Sequence, residues 1–133
     1  MDKNRKMYKT NEQWKKELTP EQYRVTREKG TEMPYIGKYW ATFEEGIYKC
    51  SNCGAELFPS RTKYDAHCGW PSFYDPVNKE NVELSPDSSH GMQRTEVTCS
   101  RCGAHLGHVF DDEAQRTGKY YCINSVALKL QKK

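Results

Sequence analysis

The sequence predicts an α+β fold that is mostly antiparallel β, with helix at the N-terminal end. Three observations carry this. A strong helix-start signal falls within residues 1–37. Short β-rich runs broken by turns fill the chain from Tyr39 onward. Two near-identical octets, Cys50-Ser-Asn-Cys53-Gly-Ala-Glu-Leu57 and Cys99-Ser-Arg-Cys102-Gly-Ala-His-Leu106, bracket the middle, so one metal ion would tie distant strands together.

Residues 1–37 read as a helical, turn-rich lead. Thr19 is placed as an N-cap, Pro20 at the first helical position, Gln22 three residues past the cap, and Gly30 as the stop. Beyond the lead, strands are expected over 46–50, 55–58, 94–99, 119–123 and 126–130, with one more inside the connection 79–91. At 133 residues the chain is read as one domain, 1–133, with a peripheral lead at 1–17 and a core at 18–128.

Charged residues make up 29% against 35% hydrophobic, and mean hydropathy is −1.01, so a structural metal would supplement a modest core. No stretch approaches the ~20 apolar residues of a membrane span, and the start leads into no apolar signal region. No membrane partner is expected. The net charge of +3 is too mild to argue for nucleic acid, and the C-terminal lysines read as a solvated tail.

Paired C-x-x-C motifs are the ligand set of a closed tetrahedral zinc site. Cys50, Cys53, Cys99 and Cys102 are therefore assigned to one structural zinc ion, with the glycine after each second cysteine allowing close backbone approach. Iron would accept the same four thiolates. A nucleic-acid zinc ribbon would explain these four residues and leave the rest unread.

Two cysteines remain. Cys122 lies near the end of an expected strand, where a cysteine alone is more often inert core. Cys68 lies in a Gly- and Pro-punctuated loop. His105 and His108 stand three apart after a metal ligand. Either could be a satisfied structural histidine, and Trp70 could be core.

Five motifs in order give these residues a context: Gly30-Thr-Glu-Met-Pro34, Cys68-Gly-Trp-Pro-Ser-Phe73, His90-Gly-Met-Gln-Arg-Thr-Glu96, Ala104-His-Leu-Gly-His-Val-Phe110 and Tyr121-Cys-Ile-Asn-Ser125. With the four metal cysteines they resemble the peptide methionine-R-sulfoxide reductases, the type B methionine sulfoxide reductases, in their zinc-containing form. The resemblance runs from about Leu18 to Leu128. It implies two small antiparallel sheets held by zinc. It implies that Cys122 attacks the sulfoxide sulfur and becomes a sulfenic acid, and that Cys68 resolves it as a disulfide. Thioredoxin or a similar dithiol protein would reduce that disulfide. His108, the favoured acid, and His105 would stabilise the thiolate or protonate the oxygen. Asn124 would hold the sulfoxide or orient His108. Trp70 and Phe110 would line the substrate pocket, and Asp112 would support recycling. Oxidised proteins are the implied substrates of a cytoplasmic, monomeric repair enzyme. A catalytically silent zinc-scaffold binding module is the competing class.

Two positions depart from the family pattern. Tyr120 replaces an Arg that many members carry two residues before the nucleophile, and Ala66-His67 replaces a common Ser-Gly. His67 could lower the Cys68 pKa or be no more than an exposed loop residue, and the second reading is favoured.

Overall fold

The computed structural model describes residues 7–133. The first six residues of the expected lead lie outside the described residues. Two short helices come first, α1 over Asn11–Glu17 and α2 over Pro20–Thr26. Each begins with a capping box. The Thr10 hydroxyl accepts from Gln13 N and the Thr19 hydroxyl from Gln22 N, while each glutamine side chain returns the bond to its cap. Helix α2 stops at Arg27, three residues short of the expected Gly30.

Nine strands follow: β1 (Gly46–Cys50), β2 (Glu56–Pro59), β3 (Lys63–Tyr64), β4 (Ser72–Phe73), β5 (Val82–Asp87), β6 (Arg94–Cys99), β7 (His105–Asp111), β8 (Lys119–Ile123) and β9 (Leu128–Lys132). They form two antiparallel sheets, one ordered β2-β1-β9 and one β3-β4-β8-β7-β6-β5. The fold class therefore agrees with the sequence, although the second sheet is broader than expected. The strand anticipated from Val126 begins at Leu128, because Ser125–Ala127 form a 3-10 turn.

The core joins both sheets to the helices. Trp14, Val25, Tyr48, Phe58, Phe73, Leu106 and Ile123 are each at most 1% exposed, and Phe58 stacks on Phe73 at 4.6 Å. Alternate residues on a strand face one side, so directly opposed residues on neighbouring strands share a face. One such row crosses four strands of the larger sheet. Ser72 opposes Cys122, Cys122 opposes His108, and His108 opposes Glu96.

Candidate active site and metal centre

The two octets fold alike. In the first, Cys50 N donates to Ala55 O and Gly54 N to Cys50 O; in the second, Cys99 N donates to Ala104 O and Gly103 N to Cys99 O. Gly54 and Gly103 have φ of 80° and 79°, so the left-handed turn, rather than the expected close backbone approach, requires glycine. The Cys50–Cys102 and Cys53–Cys99 sulfurs lie 3.6 Å apart, and all four fall within 4.8 Å of one another. A tetrahedron with metal–sulfur bonds of about 2.3 Å has sulfur–sulfur edges of about 3.8 Å. The four donors thus fit a zinc ion with no open coordination position.

Cys122 and Cys68 are separate from this cluster. Cys122 sits on β8, partly exposed, and Cys68 on the loop before β4. Their sulfurs are 3.8 Å apart. The Cys68 sulfur also meets Ser72 Oγ at 3.3 Å and Trp70 O at 3.5 Å. Such a pair holds one proton between two sulfurs and titrates as a unit. The hydrogen bond from Cys122 draws Cys68 down to about 5. The same bond, then burial, pushes Cys122 up. The further bond that Cys68 makes to Ser72 Oγ also draws charge toward Cys68 within the pair.

Cys122, Trp70, His108, Phe110 and Asn124 line one pocket of about 110 Å³, together with Thr31 and Arg94. His108 reaches it by register, directly across from Cys122. The close approach of β7 and β8 depends on the intervening glycine, since a Cβ at Gly107 would stand 2.0 Å from Cys122 O. His105 is three residues from His108, which in a regular strand places it on the opposite face. A β-bulge changes that. Thr98 pairs with His105 and Val97 with Gly107, leaving Leu106 as the extra residue. The two imidazoles consequently lie on one side, 5.5 Å apart.

Two carboxylates hold these rings. His108 Nε2 donates to Asp87 Oδ2 at 2.7 Å, and His105 Nδ1 donates to Glu96 Oε2 at 2.7 Å. Carboxylates only accept, so each bond fixes a tautomer. Lys29 bridges the pair, 3.5 Å from Asp87 and 3.3 Å from Glu96. The His108 bond, followed by bonds from Ser89, keeps Asp87 well below the usual carboxylate range. Burial lowers His105 and outweighs its bond to Glu96. His105 backs His108 rather than lining the pocket.

Asn124 is oriented without ambiguity. Its Oδ1 accepts from Glu32 N at 3.0 Å and its Nδ2 donates to Leu106 O at 3.0 Å, leaving one amide N–H free. The Trp70 indole donates to Glu32 O at 3.0 Å. Asp112 stands apart, accepting from Ala114 N and Gln115 Nε2 in the turn between β7 and β8. Tyr120 stacks on Phe110 at 5.1 Å and so buttresses the pocket wall. His67 has a side chain 85% exposed and is paired with Asp65 at 3.4 Å, as expected of a loop residue.

Asp87, Glu96, Lys29 and Glu32 were not read from sequence as site residues. Glu32 and Glu96 lie inside two of the five motifs, Gly30-Thr-Glu-Met-Pro34 and His90-Gly-Met-Gln-Arg-Thr-Glu96. Asp87 gave no linear signal, being 21 positions from His108.

Residues 18–132 match the SelR domain. The chain belongs to the SelR domain family. It is 57% identical over 129 residues to the peptide methionine sulfoxide reductase MsrB of Leptospira interrogans, covering 97% of this chain and 98% of that protein. Identity to the protein of the same name from Acinetobacter baylyi is 55% over 126 residues, 95% of this chain and 91% of that one. A zinc ion on the four clustered cysteines is consistent with the SelR family.

Proposed function

We propose that this chain reduces the R epimer of methionine sulfoxide in oxidised proteins, with Cys122 as nucleophile and Cys68 as resolving thiol. The observation that carries the reading is the 3.8 Å thiol pair whose Cys122 member lines a pocket with His108, Asn124 and Trp70. Residues 18–128 act as the catalytic core of a single domain, with 1–17 as its lead.

Chemistry follows from the positions. Transfer of the shared proton from Cys122 to Cys68 turns Cys122 into the thiolate without drawing on solvent. The thiolate attacks the sulfoxide sulfur. The remaining Asn124 amide N–H holds the oxygen, and His108, in its imidazolium form with the Nε2 proton held by Asp87, delivers the proton on its other ring nitrogen. Methionine leaves as the thioether, and its oxygen remains on Cys122 as a sulfenic acid. Cys68 then attacks that sulfur, expelling hydroxide, which is protonated to water, and forming a disulfide. Thioredoxin or a similar dithiol protein restores both thiols by exchange. Trp70 presents an indole face to the S-methyl group, which the polarised sulfoxide makes slightly positive. Phe110 walls the other side. Zinc, when bound, supplies structure and not acid catalysis, because four thiolates fill its coordination. Asp112 affects recycling through the turn that it orders. The protein is read as a cytoplasmic monomer; no helix among the described residues is long and apolar enough to cross a membrane.

The test is a stereospecific assay with blocked methionine sulfoxide and a dithiol. Turnover of R and not S is expected, and Cys122→Ser should abolish it while zinc stays bound. Retained turnover in Cys122→Ser would remove this nucleophile.

A further inference from the structure

Glu32 is 2% exposed, and the mechanism above gives its carboxyl group no task. Its surroundings do. The loop at Glu32 makes three hydrogen bonds to segments far away in sequence. Glu32 N donates to Asn124 Oδ1, Glu32 O accepts from the Trp70 indole, and Glu32 Oε1 accepts from Val126 N, each at 3.0 Å. The first two fix the amide and the indole that form opposite parts of the pocket. The third fastens the side chain to the turn immediately after Asn124. The other carboxyl oxygen is buried beside Ser125 and lies against Gly37, where an added Cβ would come within 2.4 Å of both it and Ser125 Oγ.

The main-chain bonds alone would be available to any residue. The carboxyl group adds a second tie, from this loop to Val126 in the turn after Asn124, 94 positions away. An exposed glutamate forms no such tie, and burying a carboxyl group is costly unless its bonds are made. The loop is also held by Tyr35 N donating to Gly69 O at 2.8 Å and Arg24 Nη2 donating to Thr31 O at 3.2 Å, although Thr31, Met33, Pro34, Tyr35 and Ile36 are all exposed.

We infer that Glu32 is a positioning residue that sets the separation of Trp70 and Asn124, and through it the fit of the sulfoxide methyl and oxygen. This rests on the reductase reading for its substrate but not for its geometry. Glutamine keeps the oxygen that accepts from Val126 N, whereas alanine removes it.

The experiment compares Glu32→Ala, Glu32→Gln and Gly37→Ala with the wild type. Steady-state kinetics use blocked methionine-R-sulfoxide, and hydrogen exchange of the Trp70 indole N–H is followed by NMR with zinc content as the control for folding. Glu32→Ala should raise KM and speed indole exchange, each roughly tenfold, as loss of one ordering hydrogen bond implies. Glu32→Gln should restore both. Gly37→Ala, which crowds the carboxyl group and Ser125 Oγ without deleting either, should resemble Glu32→Ala, and it stands in for that variant if Glu32→Ala fails to retain zinc. Wild-type KM and indole protection in Gly37→Ala and Glu32→Ala would overturn the inference, as would equal losses in Glu32→Gln and Glu32→Ala. An inactive wild type would sink the reductase reading instead, and the exchange rates would still judge Glu32.

Discussion

Closing the Cys68–Cys122 bond should raise the melting temperature sharply. The two residues are 54 positions apart. Linking them removes about 14 cal/mol/K of unfolded-chain entropy, or about 4 kcal/mol at 25 °C in the loop-closure picture. Unfolding entropy of about 2.1 cal/mol/K per residue gives roughly 280 cal/mol/K for a chain of this length. The ratio is an upward shift of about 15 °C. Native strain subtracts from it, because sulfurs now 3.8 Å apart must close to about 2.05 Å. That movement falls on Cys68. Cys122 is fixed in β8 between β4 and β7, whereas Cys68 lies in a loop with an exposed neighbour at His67. A rise of about 8–15 °C is therefore expected. The assay is calorimetry of the reduced protein before and after one equivalent of methionine-R-sulfoxide, which spares the zinc thiolates, with Cys68→Ser as the control. A rise below about 2 °C with both thiols consumed would refute the reasoning, as would an equal rise in Cys68→Ser.

Other consequences can be measured separately. Cys50→Ser should lose zinc and show no cooperative melt at 37 °C, because metal binding coupled to folding is worth about 10–16 kcal/mol, as much as the whole stability of a typical domain; an unchanged melt with no zinc lost would remove the metal assignment. Iodoacetamide should modify Cys68 before Cys122, with a rate that climbs through about pH 5 rather than near the ordinary thiol value of 9.0. The sign is that of a lowered acid. The fold's preference for this thiolate is fully present above pH 9.0 and is lost as pH falls through about 5, so first labelling of Cys122 would place the charge on the wrong sulfur. Asp87→Asn should slow R-sulfoxide turnover roughly tenfold or more and displace the pH–rate profile, since His108 loses its anionic anchor; a superimposable profile would show that the ring needs no anchor.

What was legible in the sequence was local. The Thr19 cap, the proline after it and the repeated Cys-x-x-Cys-Gly-Ala octets each fix a turn from within a few residues, and the structure reproduces them. Strand β7 was not legible. Its Ala-His-Leu-Gly-His run breaks the alternation that marks a strand, and the reason is the bulge at Leu106. The start of β9 was misplaced because the turn over Ser125–Ala127 is held by Tyr39 and Glu32, 86 and 94 positions upstream. Asp87 and Glu96 become partners of the histidines only once β5, β6 and β7 have paired. Acidic residues on polar strands otherwise look like solvated surface.

The bulge also explains how a remote metal bears on the thiol chemistry. Cys50 and Cys53 belong to the turn between β1 and β2, and Cys99 and Cys102 to the turn between β6 and β7. One ion therefore fastens the smaller sheet to the larger one at the hairpin whose register brings Glu96 opposite His108. Strand side chains repeat with period two, so a slip of one residue in that hairpin would turn His108 to the other face. Leu106 stands outside the β6–β7 ladder, yet it is buried and its carbonyl accepts from Asn124 N and Nδ2, so the bulge is pinned from the β8 side. A turn clamped by four thiolates would pin it from the other side and favour the register that sets both imidazoles on the Cys122 side. A zinc ion held there would thus bear on the proposed chemistry through strand register, because it would join the smaller sheet to the hairpin that carries both histidines.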